Sequence, residues 1–156
     1  RIAALRGNIS ETGFILGSGA GAKGVDADES DMGADPGAVA LKLARKLGCT
    51  VAVTGALDAV SDGARTVRVE NGHSALSRVT GTGCMCSSLV GAFCGASPER
   101  VFEAAASAVS CMGIAGEIAF ERAGGHGTGG FRVAIIDSLS NMTSRTIKES
   151  AKIYEA

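Results

Sequence analysis

The segment with the most chemical potential is Val79-Thr80-Gly81-Thr82-Gly83-Cys84. Its two glycines, followed at once by an apolar run to Cys94, predict a turn leading into a helix from about Cys84 to Cys94. The backbone N–H groups of such a turn lie at the positive end of a helix dipole. That arrangement suits an anion, either a phosphate or the charge on a transferring phosphoryl group. The same pattern also serves a plain glycine turn that lets a helix pack closely, and the residues alone leave both readings open. Cys84 favours the first. A thiol at the first turn of a helix sits where the dipole favours thiolate, fit to attack a substrate or take a proton from an alcohol. Small buried hydrophobe is the reading for Cys49, Cys86, Cys94 and Cys111.

The elements that must position this turn are legible on either side. Residues 2–6 read as a short buried strand ending at Gly7-Asn8, with a short helical stretch opening at Ser10-Glu11-Thr12 and running through Leu16. Residues 17–33, rich in Gly, Ala and Asp, read as an exposed loop. Asp35 as cap and Pro36 at the first position open a helix that stops at Gly48. Cys49 to Thr54 is continuously apolar and β-branched, the mark of a strand covered on both faces. Asp62-Gly63 is a turn between two short strands, the second Thr66 to Glu70, and Asn71-Gly72 is a further turn. Ser97 caps, and Pro98 begins, a long helix to about Arg122. Residues 124–130 form a glycine loop, followed by helices near 131–141 and 144–155. Strands followed by covering helices predict one α/β domain over residues 1–156 with a largely parallel sheet.

Composition narrows the classes. Glycine supplies 23 of the 156 residues, roughly twice the ~7% average usage, but no G-X-Y period appears. With hydrophobic residues at 46% the chain is too apolar for disorder, and with aromatics at 4% its core must be aliphatic. A net charge of -1 with scattered basic residues excludes an electrostatic nucleic-acid surface. The most apolar stretch, Val101 to Phe120, carries Glu103 and Glu117 and reads as a buried helix, not a membrane span. Five cysteines without a C-x-x-C pair fit neither a disulfide framework nor a zinc knuckle, and free thiols point to a reducing cytoplasm.

Gly81-Thr82-Gly83-Cys84 resembles the G-x-G-[D/C] anion-hole signature of the ribokinase-like small-molecule kinases. Cysteine at the last position, where most relatives carry aspartate, resembles the hydroxyethylthiazole kinases of thiamine salvage. Three further segments agree in order and spacing. Leu5-Arg6-Gly7-Asn8-Ile9-Ser10-Glu11 resembles that family's R-G-N-x-x-E segment. Val53-Thr54-Gly55-Ala56-Leu57-Asp58 resembles its V-T-G-x-x-D strand end. Asn71-Gly72-His73 through Val79-Thr80 resembles its approach to the anion hole, with Arg78 where a lysine-like residue is usual. Together they cover nearly the whole chain.

The resemblance implies a three-layer α/β/α fold and a reaction in which ATP phosphorylates the primary alcohol of 4-methyl-5-(2-hydroxyethyl)thiazole. By position, Arg6 and Thr54 would contact ATP, with Gly83 at the γ-phosphate and Gly81 at the thiazole alcohol. Asn8 and Glu11 would organise Mg2+, chiefly through water, and Cys84 would stand where the general base stands. Plainer roles exist for each: an ion pair for Arg6, strand filler for Thr54, a first-turn carboxylate for Glu11. The family also implies a homotrimer with active sites at subunit interfaces, and no membrane or nucleic-acid partner. Two alternatives belong to other classes: a hydroxymethylpyrimidine or pyridoxal kinase, and a nucleotide-binding or assembly module without catalysis. The match begins partway into the family's chain, without its N-terminal βα units and D-P-V-G segment. The expectation is the C-terminal part of a larger kinase, inactive as a solitary polypeptide.

Overall fold

A computed structural model describes residues 2–17 and 35–156. All but the first residue of the predicted 17–33 loop lies outside the described residues. The chain order is β1 (Ala4–Asn8), α1 (Ile9–Leu16), α2 (Pro36–Leu47), β2 (Thr50–Thr54), β3 (Asp58–Ser61), β4 (Thr66–Val69), α3 (Thr82–Ala96), α4 (Val101–Ala123), α5 (Gly127–Ser140), α6 (Ser144–Ser150) and β5 (Ile153–Glu155). The strands form one five-stranded sheet in the order β1-β2-β3-β4-β5.

Strand β2 shows how the layers arise. Side chains alternate across a strand, and every residue of β2 is buried. Val51 and Val53 pack with Ala40, Leu43 and Ala44 of α2 on one face. Ala52 joins Val60 of β3 and the α4 residues Ala105, Val109 and Met112 on the other. The result is three layers, α1 and α2 below, the sheet between, and α3, α4 and α5 above. Helix α2 forms as its termini predict. Asp35 accepts from the backbone N–H of Gly37 at 3.2 Å and of Ala38 at 3.3 Å, and Gly48 closes the far end.

Four expectations need correction. Of the sheet's pairings among the described residues, β1–β2 is parallel and β2–β3, β3–β4 and β4–β5 are antiparallel. The α/β layering stands, but this sheet is mixed, because short turns at 55–57 and 62–65 force neighbouring strands to reverse. Ser97 makes no capping hydrogen bond; a single 3-10 turn, Pro98–Arg100, intervenes before α4. Residues 124–130 are a 3-10 turn and then the start of α5, carried into helix by burial of Phe131 and Ile135 further along it. The helix expected over 144–155 stops at Ser150, and the chain becomes edge strand β5. The carbonyl of Lys152 accepts from the Glu70 N–H at 2.9 Å, and the Ala156 N–H reaches the Thr66 carbonyl at 3.1 Å. Those sheet bonds outweigh the helical propensity of Glu149-Ser150-Ala151-Lys152.

The long apolar stretch resolves as core. The helices of Pro98–Ser140 would pass for a membrane span by length and composition, yet 72% of their most apolar window is buried inside the fold. Helix α4 is the central post: Ala105, Ala108 and Ala115 are fully buried along it. Small residues there let α3 and α5 approach closely, which explains a core so poor in aromatics.

Candidate active site

Because β1 and β2 are parallel, with Asn8 opposite Thr54, their C-terminal ends finish together at one end of the sheet. In open α/β sheets, ligands bind outside that end of the strands. Helix α1 starts there, immediately after β1. Asn8 Oδ1 accepts from the Glu11 N–H, and Glu11 Oε2 accepts from the Asn8 N–H, both at 2.8 Å. This reciprocal capping box fixes both side chains proposed for the metal.

Helix α3 opens beside the same strand end. Its N-cap is Gly81, at a φ of 101°, a left-handed backbone that favours glycine, and no side chain caps the helix. The first N–H groups of a helix have no partners within it, so those of Gly83 and Cys84 are available to an anion. Cys84 is exposed at this mouth, whereas Cys49, Cys86, Cys94 and Cys111 are buried, as the sequence suggested.

Arg6 joins the two parts. Its Nη2 donates to Thr54 Oγ1. A Cβ built on Gly83 would sit 3.0 Å from Arg6 Nη1, so the guanidinium packs directly on the Gly83 backbone. Its Nε is buried and, among the described residues, lacks a hydrogen-bond partner. The structure therefore brings Arg6, Thr54 and Gly83 into one contact group, with Gly81 and Cys84 on the adjoining turn. Asn8 and Glu11 lie at the end of the strand that carries Arg6. The arrangement offers a fixed cation and backbone donors to an anion, with an exposed thiol at its edge.

Sequence reasoning passed over Asp58 as a site residue, although it ends the V-T-G-x-x-D segment. Its Oδ1 accepts from the Gly55 N–H at 2.8 Å, tying the turn that follows Thr54. Burial pushes its carboxyl up to about 7, against the opposing pull of the Gly55 N–H and the Arg6 guanidinium. Burial also pushes the neighbouring Cys86 thiol up to about 11. The only advance signal for Asp58 was its place three residues after Gly55.

A stability effect follows from Asp58. A carboxyl raised from 3.8 to about 7 on folding stabilises the native state most below the unfolded value, and that contribution is lost as pH rises through the folded one. Between pH 4 and pH 8 the wild type should therefore lose about 2–4 kcal/mol relative to Asp58→Asn, which keeps the turn acceptor without the charge. Urea unfolding of both proteins across this range checks it; parallel curves would refute it.

The Asn71-Gly72-His73 segment, beyond the turn read from the sequence, fastens the sheet to α4 and to the C-terminal segment. Asn71 is buried and joins β4 to α4 and to the 150–152 segment: Nδ2 donates to the Ser150 carbonyl at 2.9 Å, and Oδ1 accepts from Ser110 Oγ at 2.7 Å and the Lys152 N–H at 2.8 Å. His73 caps a 3-10 turn over Ser74–Arg78. Its Nδ1 accepts from the Ala75 N–H at 3.1 Å and its ring stacks on Phe120.

Known proteins resemble this chain over nearly its whole length. The model of the "Hydroxyethylthiazole kinase family" matches residues 1–145. The chain is 55% identical to a hydroxyethylthiazole kinase of Clostridium beijerinckii, over 99% of this chain and 57% of the relative. It is 54% identical to one from Ruminiclostridium cellulolyticum, again over 99% and 57%. The solved structure of a hydroxyethylthiazole kinase protein from Pyrococcus horikoshii superposes with a TM-score of 0.82 at 39% identity, over 99% of this chain and 55% of that one. The chain thus spans a little over half the length of these relatives, and its layered sheet is ribokinase-like. A family model matched over residues 1–145, together with relatives above half identity, settles the affiliation: the chain belongs to the hydroxyethylthiazole kinase family.

Proposed function

We propose that the protein carrying this chain transfers the γ-phosphoryl group of ATP to the primary alcohol of a hydroxyethylthiazole, in thiamine salvage. The observation that carries this reading is the Arg6 guanidinium seated on Gly83, where α3 opens without a side-chain cap. Phosphoryl transfer is mainly positioning and charge stabilisation, so a fixed cation and aimed N–H groups are the parts it requires. Arg6 and Thr54 hold the nucleotide phosphates. The N–H groups of Gly83 and Cys84 receive the γ-phosphate oxygens, and Gly81 borders the alcohol. The Cys84 sulfur takes the alcohol proton, a modest task because that proton leaves late on a loose reaction path.

The residues at the end of β1 fit a magnesium ion held chiefly through water. No group of three ligating side chains occurs among the described residues, but magnesium characteristically uses one or two carboxylates plus substrate phosphates and keeps several waters. Glu11 supplies such a carboxylate, and the capping box holds it and the Asn8 amide in place. Asn8 and Glu11 would hold such an ion through its waters, and it would supply positive charge against the nucleotide phosphates. The same reading treats residues 1–156 as one domain of a cytoplasmic homotrimer. Exposed Phe14, Val133 and Ile136 are apolar surface compatible with self-association.

The test is direct. With Mg-ATP, the protein carrying this chain should phosphorylate hydroxyethylthiazole faster than hydroxymethylpyrimidine or pyridoxal, followed by phosphorus NMR. Faster turnover of either ring alcohol other than the thiazole would move the assignment to that kinase. ATP binding without transfer to any of the three would leave a nucleotide-binding module.

A further inference from the structure

We infer that Thr82 is a positioning residue for phosphoryl transfer, fastening the turn that presents the Gly83 and Cys84 N–H groups. The inference rests on the kinase reading above and extends it to a side chain that does not itself touch substrate. Donors aimed at a developing charge are effective only when they are held in place before the reaction. Packing does not hold this turn. Gly81 adopts a left-handed φ of 101°, and a Cβ built on it would meet nothing within 4 Å beyond its chain neighbours and its own helix. Glycine in open space has a wide conformational range, so hydrogen bonds must set the aim of the N–H groups that follow.

Thr82 makes those bonds. Its hydroxyl donates to the carbonyls of Leu76 and Val79, each at 3.1 Å. Both acceptors belong to residues anchored in the fold. A Cβ on Gly116 of α4 would lie 2.7 Å from Leu76 Cδ1, so Leu76 rests directly on that helix. Val79 is buried in the cluster that contains Ala105 and Met112 of α4. The hydroxyl thus ties the head of α3 to two points fixed against the central helix. The direction of these bonds matters as much. A threonine at a helix start commonly turns its oxygen onto the helix N–H groups. Here the single hydroxyl proton is directed back onto carbonyls, and no side chain caps α3. One side chain therefore stiffens the turn and leaves its N–H groups open to an anion.

Two variants of the protein carrying this chain decide the matter. Thr82→Val keeps the shape and removes the donor; Thr82→Ser keeps the donor and removes the methyl. With Mg-ATP and hydroxyethylthiazole, Thr82→Val should lower kcat about 10- to 50-fold, the scale of a misplaced transition-state donor. Its Kd for ADP by calorimetry should move less than about twofold, because ADP has no γ-phosphate to place on the turn. Thr82→Ser should keep kcat within about threefold of wild type, since it restores the bond to both carbonyls. An unchanged kcat in Thr82→Val, or a loss of ADP affinity equal to the loss of kcat, would overturn the inference; the latter would mark a general loosening of the fold. A serine variant as slow as the valine variant would also overturn it, assigning the effect to the methyl. If Thr82→Val does not fold, Thr82→Ala removes the donor with a good helix former, and the same outcomes apply. Failure of the kinase reading is separately visible, as a wild-type protein that transfers no phosphoryl group, and it overturns this inference with it.

Discussion

Asn71→Ala should destabilise the protein by about 3–5 kcal/mol, lowering Tm by roughly 10 °C. The amide is buried, and its loss strands the Ser110 hydroxyl, itself fully buried, together with the Ser150 carbonyl and the Lys152 N–H. A buried polar group left unpaired costs about 1–3 kcal/mol; the Ser110 hydroxyl bears that cost in full, and the part-buried Ser150 and Lys152 backbone groups add a fraction of it. The pocket has no slack for rearrangement: a Cβ on Gly113 would lie 2.5 Å from the Asn71 carbonyl oxygen, so α4 already touches this backbone. Glu117 adds a second layer, accepting from the Gly72 N–H at 2.8 Å and pairing with Lys152 at 3.2 Å. Asn71→Asp should also destabilise, since it keeps the acceptor but loses the donor to Ser150 and sets a second carboxylate beside Glu117. Thermal unfolding of both variants is the measurement. A shift under 2 °C for the alanine variant would show that water replaces the amide at little cost.

Cys84→Ala should lower turnover by about 10- to 100-fold while leaving ATP binding within about twofold. Cys84 is exposed at the first turn of α3, with Gly83 between it and the Arg6 guanidinium. Removing its sulfur therefore leaves the backbone donors and the cation in place. Positioning and charge stabilisation supply most of the acceleration of phosphoryl transfer, which bounds the loss from deleting the proposed base. Cys84→Asp should restore turnover or raise it, because a carboxylate, though a weaker base than a thiolate, is fully deprotonated at neutral pH and offers two acceptor oxygens to the alcohol proton. Single-turnover and binding measurements on both variants separate the steps. Equal losses in ATP affinity and turnover for Cys84→Ala would assign the thiol a structural role.

What could be read from the sequence was local. Asp35-Pro36 and Gly48 mark both ends of α2 because capping acts over two or three residues. The unbroken apolar run of β2 marks a doubly covered strand because the helices above and below act through those side chains. Arg6, Thr54, Gly81, Gly83 and Cys84 could be singled out through family motifs, and the fold gathers them around one strand end. The partners of Asn71 could not be foreseen: Ser110, Ser150 and Lys152 lie 39, 79 and 81 residues away. The same distance effect hid β5. Its seven preceding residues satisfy helical preferences, and only pairing with β4 on the far side of the chain converts the end to strand. Asp58 was visible as a motif residue, but its partial burial and the shift of its carboxyl depend on tertiary closure.

The parallel pairing of β1 with β2 carries a consequence for how the protein folds. It joins Ala4 to Thr50 and Asn8 to Thr54 across a long stretch of intervening chain, and its side-chain period is two. A slip of one residue would send Arg6 to the α2 side of the sheet and bring Leu5 or Gly7 beneath α3 instead. The face that seats Arg6 against Thr54 and Gly83 therefore does not exist until a long-range register has been chosen correctly. Contacts of such high sequence separation close slowly, so a refolding chain should gain helical signal from α2 and α4 before it gains any capacity to hold a nucleotide.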